Sequence, residues 1–225
     1  MNALLSLEQQ RVVIVEDHPL FREQLRLLID KEDDLTVCGE ADNVRAALAL
    51  VQKVQPQLAI IDITLKGANG LDLLKDLQAH KIDLPVLVLS MHDESLYAER
   101  ALRAGARGYI TKQEASAKVM IAIRQVLEGD LYLDPHVMRR MVHKVVAKSD
   151  STTTPLDRLT DRELEVFELI GQGRTTREIG GRLCVGLTTV DTYRARIKEK
   201  LRLENAAQLH AAASRWVMER AVAAN

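Results

Sequence analysis

Five polar side chains follow short apolar runs. Glu16 and Asp17 end the run Val12–Val15, Asp62 ends Leu58–Ile61, Ser90 ends Val86–Leu89, and Lys112 closes Gly108–Thr111. Taken singly, each has an ordinary use: an acid or hydroxyl there caps a helix, and a lysine sits at the surface. Taken together they sit at strand ends, where open parallel sheets bind ligands. If the first and third strands are neighbours, three carboxylates converge. Their mutual repulsion raises their pKa values, and a divalent cation relieves it. Oxygen donors with few protein contacts suit Mg²⁺. A hydroxyl and an ammonium beside a metal-bound carboxylate form a phosphoryl-binding group, and carboxylate nucleophiles form aspartyl phosphates.

The elements that must carry these residues alternate. The apolar runs Val12–Val15, Leu35–Cys38, Leu58–Ile61, Val86–Leu89 and Gly108–Ile110 are separated by Leu20–Ile29, Val44–Val54, Leu71–Leu77, Ser95–Ala104 and Ala115–Leu127, which have helical spacing. Continuous apolar runs suit strands buried on both faces. The alternation predicts a doubly wound α/β domain over residues 11–130 with the flavodoxin-like parallel order 2-1-3-4-5. Pro56 and Pro85 fall just before strands, where a helix cannot continue, and Gly70 and Gly105 read as helix-edge residues.

The composition agrees with a globular chain of one or two domains: 225 residues, 47% hydrophobic, 28% charged and only 3% aromatic. No apolar run approaches the ~20 residues of a membrane span. The N-terminal residues 1–10 do not resemble a secretory signal, and two isolated cysteines suggest neither a disulfide framework nor a zinc site. A cytoplasmic protein is expected. Charge is uneven: residues 1–130 hold 15 Lys+Arg against 20 Asp+Glu, and residues 158–225 hold 12 against 9. A basic second half is suited to a polyanion.

Residues 131–157 read as a linker with a short helix, Pro135–Ala147, and a polar run from Ser149 to Pro155. Residues 158–222 read as four helices. Thr160 and Glu163 fit a capping box; Thr176 is placed as the cap of a second helix, Arg177–Leu183. After the turn Cys184-Val185-Gly186 comes a third helix from Thr188 to Leu201, then a fourth over Ala206–Val222. Two helices joined by a short glycine-containing turn form a helix-turn-helix. The third helix has five basic residues and one acid between Arg194 and Arg202. Val190, Ile197 and Leu201 share its inner face, leaving a polar and basic face that suits a major groove. Leu209, Ala213, Trp216 and Val217 mark either a dimer face or core packing on the fourth helix.

The stretches Val12–Pro19, Leu58–Ile63, Gly67–Leu71, Val88–Ser90 and Gly105–Lys112 resemble the response-regulator receiver family over residues 11–130. The resemblance implies that Asp62 is the phosphoacceptor. Glu16, Asp17, Asp62 and the backbone carbonyl of Thr64 would hold Mg²⁺, Ser90 and Lys112 would contact the phosphoryl group, and Tyr109 would be a switch aromatic moving with Ser90. Where many receivers have a proline after the lysine, Gln113 stands here, so a cis peptide is not expected.

Residues 157–220 are similar to the LuxR-type helix-turn-helix of the NarL/FixJ class, through Leu159–Val166, Gly173, Glu178-Ile179, Leu183, Thr189-Val190, Arg196 and Lys200-Leu201. That likeness points Asp191, Thr192 and Ala195 at the groove and makes Thr189, Tyr193, Arg194, Arg196 and Lys200 contact candidates. Ala195 offers a thymine methyl only apolar contact, and Asp191 either accepts from cytosine or caps the helix. Gly186 replaces a usual serine at the turn. One of Gly180 and Gly181 fits a close helix crossing; the other has no evident reason.

The two halves imply a DNA-binding transcriptional regulator rather than an enzyme, the receiver catalysing only its own phosphoryl uptake and loss. A sensor histidine kinase, double-stranded DNA and, in the active form, a second copy are the expected partners, with no membrane. A haloacid-dehalogenase-type phosphatase would need a second Asp where Thr64 stands. The closer rival is a regulator whose receiver acts unphosphorylated as an interaction module.

Overall fold

The computed structural model describes residues 9–91, 94–146 and 155–223. The chain falls into two compact units, Met1–Ala147 and Lys148–Asn225.

In the first unit the strands are β1 (Gln10–Val15), β2 (Leu35–Ala41), β3 (Leu58–Asp62), β4 (Thr64–Leu65), β5 (Ala68–Asn69), β6 (Val86–Ser90) and β7 (Gly108–Thr111). Five of them form one parallel sheet, ordered β2-β1-β3-β6-β7. This is the expected 2-1-3-4-5 arrangement once β4 and β5 are set apart. Those two form a small antiparallel hairpin around Gly67, whose φ of +74° suits glycine. Two-residue strands leave no periodic signal in the sequence, so the hairpin is not among the expected elements.

The central strands β3 and β6 are buried along their whole length, and β1 along its last four residues. Helices α1 (Pro19–Ile29), α2 (Val44–Val54), α3 (Gly70–Ala79), α4 (Glu94–Arg103) and α5 (Ala115–Leu127) link them. Asn43 and Asn69 cap α2 and α3 through their side-chain oxygens. Gly105, at φ +98°, follows α4. No peptide bond among the described residues is cis, so Lys112–Gln113 is trans.

Beyond α5 the chain returns to the sheet. Tyr132 forms a parallel bridge with Gly108; Tyr109 N–H donates to Tyr132 O at 2.9 Å and Tyr132 N–H donates to Arg107 O at 3.0 Å. Helix α6 (Pro135–Val146) follows and packs on α4, with Val137 buried. Most of the polar run, Ser149–Thr154, lies outside the described residues, as do residues 1–8.

The second unit opens with a short 3₁₀ turn, Pro155–Arg158, and four helices: α7 (Asp161–Gly171), α8 (Thr176–Leu183), α9 (Leu187–Leu201) and α10 (Ala206–Ala223). Thr160 and Glu163 form the expected capping box. The α8 cap is Thr175 rather than Thr176, because Glu178 then sits three residues on and completes a second box. Thr176 is the first helical residue.

Leu209 and Ala213 are fully buried, and the Phe167 and Trp216 rings meet at a tilt of 49° with centroids 5.7 Å apart. A Cβ on Gly171 would meet Ala213 O at 2.4 Å. The apolar face of α10 therefore packs on α7 through Leu209 and Ala213, whereas Trp216 and Val217 are half-buried. Gly180 and Gly181 also separate. A Cβ on Gly180 would stand 3.0 Å from Val185 O, so the turn packs closely there and would have to give by a few tenths of an ångström, whereas Gly181 meets nothing within 4 Å.

Candidate phosphoacceptor pocket and recognition helix

The adjacency of β1 and β3 brings the acids together. One ligand atom each from Glu16, Asp17, His18 and Asp62 lies within 4.8 Å of all the others. Lys112 arrives from the end of β7, its Nζ 2.6 Å from Glu16 Oε2 and 2.7 Å from Asp62 Oδ2. Glu16, Asp62 and Ser90 are buried, as is the Lys112 side chain. The Phe21 ring lies beneath the ammonium, 4.8 Å from Nζ to centroid.

Backbone contacts hold the cluster in place. Thr64 N–H donates to Asp62 Oδ1 at 3.2 Å, and His18 N–H to Glu16 Oε1 at 3.0 Å. Arg22 Nη1 donates to Glu16 O at 2.6 Å, and Lys112 N–H to Ser90 O at 2.8 Å. Gly70 N–H donates to Ile63 O at 2.7 Å, which seats the start of α3 against Asp62.

Burial raises the Asp62 pKa, and the Glu16 charge adds to this; Lys112 and the Thr64 amide pull it down, leaving it at about 6 against an ordinary 3.8. Glu16 Oε2 and Asp17 Oδ1 are buried without a hydrogen bond, although Lys112 and His18 stand near them as ion-pair partners. Buried carboxylate oxygens with unspent lone pairs, gathered in one place, fit a hard divalent cation.

All four side chains expected round the acceptor, Glu16, Asp17, Ser90 and Lys112, converge on the same sheet edge as Asp62, and Thr64 joins through its amide. The Tyr109 ring is fully buried on β7, opposite Val88. His18 and Phe21 escaped the sequence reading. His18 directly follows Glu16-Asp17, but a residue before Pro19 reads first as a helix start; Phe21 reads as an amphipathic core position.

On α9, Val190 and Ile197 are fully buried, while Thr189, Asp191, Thr192, Ala195 and Arg196 are exposed on the outer side and Tyr193 is half-buried. Thr192 Oγ1 donates to Thr188 O at 2.9 Å. Two of the cations expected on this surface turn inward. Lys200 Nζ donates to Glu163 Oε2 at 2.6 Å. Burial pushes the Glu163 carboxyl up, but Lys200 and Thr160 outweigh it and hold the pKa below its ordinary value. Arg194 donates to Thr176 Oγ1 at 3.4 Å and meets His210 Nε2 at 2.9 Å. Within the same unit, buried Arg162 binds Glu165 and Leu183 O, each at 2.8 Å.

Residues 12–124 match the family model of the response regulator receiver domain, and residues 157–213 that of the bacterial regulatory proteins of the luxR family. The chain is 34% identical to BvgA of Bordetella pertussis over 88% of its own length and 94% of that protein. It is 30% identical to the response regulator GacA of Pseudomonas aeruginosa, covering 88% and 92%. Among solved structures, it resembles a LuxR-family two-component response regulator from Aurantimonas sp. SI85-9A1, with TM-score 0.57 and 29% identity, over 62% of this chain and 99% of that one.

Proposed function

Since the chain belongs to the response regulators that join a receiver domain to a luxR-family regulatory domain, we propose that it is a transcriptional regulator switched by phosphorylation of Asp62. The observation that carries this reading is one ammonium, Lys112 Nζ, seated between Asp62 and Glu16 in a buried acidic pocket.

A pKa near 6 leaves most of the Asp62 carboxylate ionised at neutral pH. Its oxygen attacks the phosphorus of a phosphohistidine on a sensor kinase. A P–O bond forms, the donor's P–N bond breaks, and the donor nitrogen keeps the electron pair. Glu16, Asp17, Asp62 and the Thr64 carbonyl would hold Mg²⁺, which when bound would offset charge on the transferring group. Lys112 passes from Asp62 Oδ2 to a phosphoryl oxygen, and the Ser90 hydroxyl takes another. Ser90 and Tyr109 are the switch pair through which this charge biases two receiver conformations. The receiver thus catalyses only its own phosphoryl uptake and loss.

The receiver is assigned to residues 11–130, the connector with α6 to 131–157, and the DNA-binding domain to 158–222. Thr189, Asp191, Thr192, Ala195 and Arg196 form the face of α9 laid in the major groove, with Tyr193 at its edge. The active form binds double-stranded DNA as a homodimer, matching a two-fold site. No described helix is long and apolar enough to cross a membrane, and a cytoplasmic setting supplies both kinase and DNA.

The reading is tested by selecting duplexes from a random library with the full chain, before and after treatment with acetyl phosphate and Mg²⁺. Phosphorylation is expected to enrich a two-fold symmetric sequence. Equal enrichment by both forms would favour a receiver that works without phosphorylation.

A further inference from the structure

We infer that Arg194 is a positioning residue of DNA recognition rather than a phosphate contact, with His210 as the acceptor that holds it. The inference rests on the proposal that α9 enters the groove. A guanidinium has five N–H donors and no acceptor. Here it reaches Thr176 Oγ1 at the first residue of α8 and His210 Nε2 on α10. The ring nitrogen must therefore be the acceptor, which requires a neutral His210 with its proton on Nδ1.

One planar group thus spans both helices of the helix-turn-helix and the helix behind them. Lys200 makes a similar tie at the far end of α9, to Glu163 in the first turn of α7. Two cations that charge pattern alone assigns to phosphates are spent inside the domain. Arg196, two residues from Arg194, is exposed on the outer side.

The two roles leave different signatures. A phosphate contact strengthens all sequences alike, and its removal lowers the salt slope of binding by about one. A brace sets the angle at which α9 meets base edges, so its loss erodes the preference for the right sequence. The affinity of the full chain would be measured against salt on two probes: the duplex enriched by selection and a random-sequence duplex.

Arg194→Gln and His210→Leu are each expected to lose about tenfold of the preference for the selected duplex, as suits one charge-assisted hydrogen bond. Random-duplex affinity and its salt slope stay as in the wild type. His210→Gln, which keeps an acceptor, restores the preference. Arg194→Lys does not, because an ammonium lacks the fork that spans both partners. Arg196→Gln supplies the contrast, weakening both probes and lowering the slope. Uniform weakening by Arg194→Gln with rescue by Arg194→Lys and a silent His210→Leu would overturn the inference. A wild-type chain that binds neither duplex would end the DNA-binding reading as well, and so separates the two failures.

Discussion

A Cβ added to Gly70 would lie 1.9 Å from the backbone oxygen of Asp62. The start of α3 is thus pressed against the proposed phosphoacceptor, and only a hydrogen at that position leaves room. Gly70→Ala must displace either the helix or Asp62. Overpacking of this kind costs about 1–3 kcal/mol, and phosphoryl uptake should fall with it. Gly181→Ala is the control: nothing lies within 4 Å of that Cβ, and removing a helical glycine should stabilise the second unit by up to about 1 kcal/mol. Thermal unfolding of both variants checks the pair. An unperturbed Gly70→Ala protein would count against the tight seat.

Metal-free stability should carry the mark of Asp62. Its folded pKa of about 6 lies above the ordinary 3.8, so the native state holds that proton more tightly than the unfolded chain. The contribution is complete below about pH 4 and is lost as pH rises through about 6, amounting to about 3 kcal/mol by pH 7. Denaturant unfolding in EDTA should therefore show wild type losing ground to Asp62→Asn as pH rises from 4 to 7. A difference between the two that does not vary with pH contradicts the assignment.

Magnesium should reverse that loss. Bound to the native pocket alone, a cation at a hundred times its Kd stabilises by about 2.7 kcal/mol. Thermal shifts with increasing MgCl₂ should be large for wild type and much reduced for Asp17→Asn and Asp62→Asn. Equal shifts in all three proteins would place the ion elsewhere.

The buried pair Arg162–Glu165 should matter to the second unit alone. Glu165 is fully buried and receives Arg162 Nη1 at 2.8 Å. Glu165→Ala strands a buried guanidinium and should cost about 3–5 kcal/mol, seen as an earlier unfolding step of the DNA-binding unit. Phosphoryl uptake at Asp62 should be untouched. Loss of both functions would show coupling that this account lacks.

Much of this was legible from residue types. Apolar runs such as Leu58–Ile61 and Val86–Leu89 are buried along their length, and the polar residues ending them meet because the parallel order makes β1 and β3 neighbours. Other features were hidden. Tyr132 pairs with β7 through backbone groups, which carry no residue signature. Phe21 sits under Lys112 because of side-chain directions that spacing does not specify. Arg194 and Lys200 look like surface cations in a one-dimensional charge pattern; their partners Thr176, His210 and Glu163 lie 16 to 37 residues away.

The central claim is that a carboxylate beside Lys112 takes up phosphorus. The most direct measurement is the intact mass of the chain after incubation with acetyl phosphate and Mg²⁺, followed by peptide mapping. Wild type should gain a single phosphoryl group on the peptide containing Asp62, Asp62→Asn none, and EDTA should abolish the gain. An unchanged wild-type mass, or the same gain in Asp62→Asn, would contradict the account.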